Sequence, residues 1–208
     1  AIAFGLANFF GSPVLGRLSD RYGRRPVLLI GFSGLALSFF VTGMATALWM
    51  LLVVRLFSGA MQANISVANA YVADITLPEN RAKSFGMLGA MMGVGFILGP
   101  VVGGLLGDIN LHLPFFVAGT LAVLNWFYGY FVLPESVTAE MRGRKLGREV
   151  LNPLAPLRDL GRYPLVRSLT GSFVLLGLAG QVIFSTWVLF TESTLGWSPA
   201  QNGVGLAV

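Results

Sequence analysis

The sequence GMLGAMMGVGFILGPVVGGLLG, from Gly86 to Gly107, contains no charged residue in 22 positions. At about 1.5 Å per residue, such a helix is about 33 Å long and can cross a bilayer once. In lipid, small residues at every fourth position form a groove that lets a second helix backbone approach closely. With Pro100 among them, the spacing predicts a membrane helix that packs tightly and can bend. The glycines at this spacing are Gly95, Gly99, Gly103 and Gly107.

The whole chain has the composition of an integral membrane protein. Of its 208 residues, 55% are hydrophobic and 11% are charged, and this charged fraction is about half that of soluble domains. With no cysteine and one histidine, the sequence predicts neither a disulfide framework nor a metal site, and we expect no cofactor. The net charge is +5, and most basic residues lie in the segments between long apolar runs. This distribution indicates a membrane rather than nucleic acid as partner.

Apolar runs alternate with short polar connections along the chain. Every second connection carries Lys and Arg, and the positive-inside rule places these connections in the cytoplasm. We therefore expect a multi-pass protein of the cell membrane, either an inner or a plasma membrane. Because the first run is short and the last has just begun, we expect a segment of a longer protein. The runs cover residues 1–16, 26–46, 48–73, 84–107, 114–133 and 164–191, and a seventh starts after Ser198.

One long hydrophilic connection predicts the boundary between two helical bundles. Residues 1–133 would form the helices of the first half and residues 134–163 a cytoplasmic central loop. Residues 164–208 would begin the second half.

The sixth run carries a polar pair whose role the spacing leaves open. Gln181 and Ser185 share one helix face, with Trp187 close by. They either face a substrate or merely hydrogen-bond to a neighbouring helix. After this run, Ser198 and Pro199 predict the N-cap and the first position of another helix.

The basic connection GRLSDRYGRR, residues 16–25, has a defined order of residue types. By charge alone it is an ordinary cytoplasmic loop, but its glycines permit a tight turn and close helix approach. Asp74 ends the third run on the same side, so we expect it near Arg24, in an exposed pair worth about 0 to 1 kcal/mol. The candidate gating residues are Gly16, Asp20, Arg21, Gly23, Arg24, Arg25 and Asp74.

The third run carries a polar stripe led by Arg55. A charge within a membrane helix costs up to about 2.5 to 3.5 kcal/mol unless it faces water or a partner. At 100° per residue, the other members of the stripe lie within about 60° of the direction of Arg55. The stripe is predicted to line a cavity, whereas Asn64 on the opposite side is expected to hydrogen-bond between helices. The members of the stripe are Arg55, Ser58, Gln62, Ser66 and Asn69.

Three of these patterns together resemble the major facilitator superfamily. The connection of residues 16–25 is similar to the signature loop of that superfamily. Arg55 followed by Gly59 is similar to its fourth-helix motif, whose arginine is linked to proton coupling. The glycine-rich run resembles the fifth-helix antiporter motif found in exporters of the superfamily. The residues that match this motif are Gly86, Gly95, Gly99, Pro100, Gly103 and Gly104.

A closer resemblance is to the tetracycline/proton antiporters. Three stretches carry it: YVADIT at 71–76, LHLPFF at 111–116, and the segment from Gly180 to Ser198. Ser38 stands where those antiporters carry an aspartate, so the resemblance leaves the substrate open. It also implies that Arg24 meets the acid at the end of the fourth helix, which is Asp74 here.

The resemblance implies an all-α membrane fold, helices two to seven and the start of eight of an expected twelve. It implies proton-coupled efflux of drug-like amphiphilic small molecules, including tetracycline-like ones, by a monomer that uses the proton gradient. The partners are then the substrate, protons and the bilayer, with no nucleic acid and no enzyme activity. The alternatives are a facilitator or proton symporter that imports a metabolite, and a membrane receptor or scaffold that transports nothing.

Overall fold

The computed structural model describes residues 2–61, 64–137 and 164–207, which form helices joined by short connections. A 3-10 turn (Pro78–Asn80) precedes the fifth helix, and a π-helical turn (Thr191–Leu195) follows the seventh. The helices are α1 (Ile2–Tyr22), α2 (Arg24–Gly43), α3 (Leu48–Met61), α4 (Asn64–Ile75), α5 (Arg81–Ile109), α6 (Leu113–Val132), α7 (Pro164–Phe190) and α8 (Pro199–Ala207).

Four helical stretches of the described chain are long and apolar enough to cross a membrane. One of them contains the glycine-rich run of residues 86–107, and its helix continues through Pro100. The spanning helices predicted from the apolar runs are therefore confirmed at these four places. The stretches are Arg24–Gly43, Leu48–Ile75, Pro78–Ile109 and Leu113–Val132.

The chain reverses direction at Gly23, between α1 and α2. Gly23 has a φ of 107°, in a region that glycine enters without steric cost. Its N–H donates to the carbonyl of Ser19 at 3.1 Å, and a Cβ on it would overlap the carboxylate of Glu135. The predicted tight turn is therefore at Gly23. Gly16 instead lies inside α1, and a Cβ there would meet no described atom within 4 Å.

A small buried core lies at the end of the bundle where α1 meets α2, which we call the basic end. Val27 and Leu28 of α2 pack there with Val67 and Tyr71 of α4. Leu133, which follows α6, packs against the same cluster. This core holds the start of α2 beside the ends of α4 and α6.

Glycines bring other helix pairs into close contact. A Cβ on Gly59 of α3 would overlap the backbone carbonyl of Phe4 in α1. Gly119 of α6 lies against the ring of Phe40 in α2, and a Cβ on Gly119 would lie 3.0 Å from that ring. Gly59 therefore has a packing role that its place beside Arg55 did not indicate.

The predicted start of the last helix is confirmed. The hydroxyl of Ser198 accepts a hydrogen bond from the N–H of Gln201 at 3.3 Å. The side-chain oxygen of Gln201 accepts one from the N–H of Ser198 at 2.9 Å. This reciprocal pair is a capping box at the N-terminus of α8, and Pro199 is its first helical residue.

Candidate functional site

Arg24 is the centre of a polar network at the basic end. Its Nε donates to Oδ2 of Asp74 at 3.1 Å. A terminal nitrogen contacts Oδ1 of Asp20 at 2.5 Å and donates to the hydroxyl of Ser19 at 2.6 Å. The structure thus brings together the predicted pair. The prediction of an exposed pair is wrong, because only 10% of the Arg24 side chain and 28% of that of Asp74 are exposed.

Glu135, which follows α6, belongs to the same network and was not predicted. Its Oε1 accepts the backbone N–H of Arg24 at 2.8 Å, at the first position of α2. A carboxylate there is favourable, because the first N–H groups of a helix have no internal partner and form its positive end. The hydroxyl of Ser136 also donates to Asp74 at 3.3 Å. The segment after α6 therefore contacts both members of the pair.

A sequence signal for Glu135 was available. It is an acid that follows the fifth apolar run, at the end of the bundle where the basic connections lie. The contact joins residues 111 positions apart, so no local spacing rule predicts it.

Two other arginines of the loop, Arg21 and Arg25, contact nearby aromatic rings. Arg25 donates to the carbonyl of Tyr130 at 2.5 Å, and its guanidinium lies 5.5 Å from the centre of that ring. It thereby ties α2 to α6. Arg21 lies 5.3 Å from the ring centre of its neighbour Tyr22. Of the candidate gating residues, Arg24 therefore has the most extensive contacts with acids.

The polar stripe of the third run is mostly on an open face. Arg55 of α3 and Ser66 and Asn69 of α4 are exposed, and Arg55 has no carboxylate partner in the described part of the chain. Ser58 differs, because it is buried and its hydroxyl donates to the carbonyl of Arg55 at 3.3 Å. Gln62 lies outside the described residues.

Asn64 lies on the other side of this helix pair. It is buried, and its Nδ2 donates to the carbonyl of Leu28 in α2 at 3.2 Å. The expected hydrogen bond between helices is therefore present at Asn64.

The glycine face of α5 does not pack as predicted. A Cβ on Gly86, Gly95, Gly99 or Gly103 would meet no atom within 4 Å among the described residues. The close contact is instead at Gly104, where a Cβ would overlap the carbonyl of Pro199 in α8. Gly104 lies about 100° around the helix from Gly103, so α8 covers the adjacent face. None of the described residues makes the predicted tight contact along Gly95, Gly99 and Gly103.

The open glycine face borders an apolar crevice of about 530 Å³ between α5 and α6. Leu98 and Val102 of α5 line it, together with Phe115 and Leu121 of α6 and Phe39 of α2. This lining contains no charged residue. The crevice therefore offers shape and apolar surface but no group that could carry a proton.

The far end of α7 is joined to α8 through aromatic and polar contacts. The rings of Trp187 and Trp197 are 6.2 Å apart in an edge-to-face arrangement. The buried hydroxyl of Thr191 is hydrogen-bonded to Asn202 of α8. Trp187 thus packs towards α8. Gln181 and Ser185 lie on α7, and their side chains are outside the described part.

Comparison with known proteins identifies the family. The sequence description of the Major Facilitator Superfamily matches residues 1–208. The chain belongs to the major facilitator superfamily. The resemblance inferred from its motifs is thereby confirmed, as are its all-helical fold and its nature as a membrane protein.

The chain is similar to several proteins of that superfamily. It is 42% identical over 205 residues to the tetracycline resistance protein, class C, of Escherichia coli, covering 99% of this chain and 51% of the relative. It is 35% identical over 141 residues to multidrug resistance protein 2 of Bacillus subtilis (strain 168), covering 67% of this chain and 35% of the relative.

A solved structure agrees with this assignment. The crystal structure of the human organic anion transporter MFSD10 (TETRAN) superimposes with a TM-score of 0.77 at 28% sequence identity. The match covers 99% of this chain and 51% of that one. The chain spans about half the length of the class C relative and of this transporter.

Proposed function

We propose that the full-length protein exports drug-like amphiphilic molecules from the cell in exchange for protons. The family and the resistance proteins among its relatives support this proposal. The observation that carries it is Arg55, a cation on the open face of a membrane-spanning stretch. The charge avoids desolvation where that face lines water, as a transport path requires, or where it meets a partner.

Alternating access gives the network of Arg24 a role in this function. A transporter exposes its substrate site to one side of the membrane at a time, so contacts at each end must form and break. We place the basic end in the cytoplasm by the positive-inside rule, in the inner or plasma membrane. The contacts of Arg24 would then stabilise one of the two states, in a protein that acts as a monomer.

The uncharged side chain of Ser38 affects which substrates the protein can bind. Ser38 is buried in α2, and its hydroxyl donates to the carbonyl of Leu35 at 2.8 Å. It therefore supplies no charge at the position where the tetracycline antiporters resembled here carry an acid. We propose amphiphilic compounds as the substrate class, with tetracycline as one compound to test.

The alternatives make different use of the same residues. An importer of a metabolite would share the loop and Arg55, but the glycine motif of α5 resembles that of exporters. A receptor or scaffold gains nothing from an arginine on a membrane-spanning helix, because the charge raises the cost of insertion.

A susceptibility panel on the full-length protein tests the proposal. The protein is expressed in a drug-sensitive host, and drug accumulation is measured with and without a protonophore. We expect lower accumulation that the protonophore abolishes. Arg55→Ala should insert normally, because removal of this side chain leaves no contact unpaired among the described residues. It should no longer lower drug accumulation. Arg17→Ala, which removes an arginine outside the stripe, is the matched control.

Other results would contradict the proposal or the role of Arg55 in it. Accumulation that does not fall for any compound, or that falls equally with the protonophore, contradicts proton-coupled export. An Arg55→Ala protein that still lowers accumulation against a gradient excludes the role of Arg55.

A further inference from the structure

Asp108 joins the last turn of α5 to the first turn of α8, at the end opposite the basic end. Its Oδ1 accepts the backbone N–H of Ala200 at 3.3 Å. Its Oδ2 accepts the hydroxyl of Ser198 at 3.4 Å. One carboxylate on α5 thus makes both contacts with the N-terminus of a helix that follows 90 residues later.

These contacts complete the capping of α8. The first N–H groups of a helix have no partner within it. Pro199 has no N–H, and that of Gln201 donates to Ser198 within the capping box. The N–H of Ala200 has its partner on a different helix, and a carboxylate there also complements the helix dipole. Separation of α8 from α5 would leave this N–H without Asp108.

The two helices are in backbone contact directly below Asp108. A Cβ on Gly104 would overlap the carbonyl of Pro199, and a Cβ on Gly203 would overlap that of Pro100. A Cβ on Gly107 would lie 3.5 Å from that of Pro199. Asp108 therefore lies at the edge of a close backbone contact that leaves little space for relaxation. The helices α5 and α8 are thus either in full contact or separated.

We propose that Asp108 is a latch that holds α5 and α8 together on the outer side of the membrane. It closes that side while the cytoplasmic side is open, and it releases each time the outer side opens. This role rests on the proposed function, because it requires a protein that opens to both sides.

A cysteine pair measures the closed state directly. This chain has no cysteine, and any in the rest of the full-length protein are replaced. A Cβ on Gly107 would lie 3.5 Å from the Cβ of Pro199. This distance suits a disulfide, whose Cβ atoms are about 3.5 to 4.5 Å apart. In the variant G107C/P199C, the rate of oxidative cross-linking in membranes reports how often the outer side is closed.

We expect Asp108→Asn to slow this cross-linking by about fivefold or more, a usual size for coupling between conformational states. Glu192→Gln is the matched control, because Glu192 is an exposed acid at the same end whose carboxylate makes no hydrogen bond to α8 among the described residues. It should leave the rate unchanged. If Asp108→Asn is not inserted, Ser198→Ala removes one of the two hydrogen bonds and should slow cross-linking less, in the same direction.

The outcomes separate the latch from the proposed function. An unchanged cross-linking rate in Asp108→Asn, or an equal change in Glu192→Gln, overturns the latch. A slower rate in a protein that exports no drug supports the latch and contradicts the proposed substrate class. Drug export with an unchanged rate supports export and excludes Asp108 as its outer latch.

Discussion

The two ends of the bundle are held together by different means. At the basic end, the buried guanidinium of Arg24 contacts Asp20 and Asp74, while Glu135 caps the helix that Arg24 begins. At the opposite end, the contact is made by backbone against backbone at Gly104, and Asp108, the carboxylate that bonds to the start of α8, is exposed.

This difference predicts how each end responds to change. A contact between backbones depends on shape, so one added methyl group is enough to separate it. A network of charges tolerates changes in shape but leaves an unpaired charge when one member is removed. Each prediction below tests one side of this comparison.

The largest effect is expected at Gly104. In Gly104→Ala the new methyl group meets the carbonyl of Pro199, which cannot move alone, and overpacking of this kind costs about 1 to 3 kcal/mol. Since about 1.4 kcal/mol changes a ratio of two states tenfold, we expect cross-linking of G107C/P199C and transport to fall about tenfold.

Gly99→Ala is the control for that change. It adds the same methyl group to the same helix, at a position where a Cβ meets no described atom within 4 Å. We expect cross-linking close to that of the parent. An equal loss in both variants would show that the face of Gly104 has no special role.

The second effect is expected at Arg24. Arg24→Ala leaves Asp74 in a partly buried site without its cation, and the loss of a partner of this kind costs about 1 to 3 kcal/mol. We expect a lower midpoint of thermal unfolding in detergent and impaired transport. Arg17→Ala at the same end should change neither, and equal shifts in the two variants would contradict the central role of Arg24.

The charge-swapped variant sharpens this point. An isolated pair would regain function when its charges are exchanged. Here an aspartate at position 24 would lie beside Asp20 and Glu135, so we expect Arg24→Asp with Asp74→Arg to remain impaired. Recovery of transport in this double variant would mean that Arg24 and Asp74 act as an isolated pair.

A smaller effect is expected at Glu135. Glu135→Gln keeps a side-chain oxygen that can accept the N–H of Arg24 but removes its charge from the positive end of α2. Charge at a helix terminus is worth about 0.3 to 1 kcal/mol, so we expect a slightly lower unfolding midpoint. Glu79→Gln, an exposed acid in the 3-10 turn, is the control and should have no effect.

The smallest effect is expected from salt. Between 0.1 and 1 M salt, the screening length falls from about 10 Å to about 3 Å, and exposed charges are screened more than buried ones. Cross-linking of G107C/P199C should therefore slow slightly at high salt through the exposed Asp108. In an Asp108→Asn background, the dependence on salt should disappear. A dependence that persists there would place its origin elsewhere.

The sequence alone determined the membrane-spanning runs, the family and the pairing of Arg24 with Asp74. These features depend on local composition, on motif order, and on consecutive helices that cross the membrane in opposite directions. The capping box at Ser198 was predictable for the same reason, because all of its atoms lie within four residues.

The tertiary structure decided which surface of each helix meets a neighbour. Glycines at every fourth residue indicate that some face of α5 is smooth, but the spacing does not say where α8 lies. It lies over Gly104, about 100° from the predicted stripe. Glu135 and Asp108 contact helix N-termini 111 and 92 residues away. Such contacts are set by how whole helices pack together, and local sequence patterns do not contain that information.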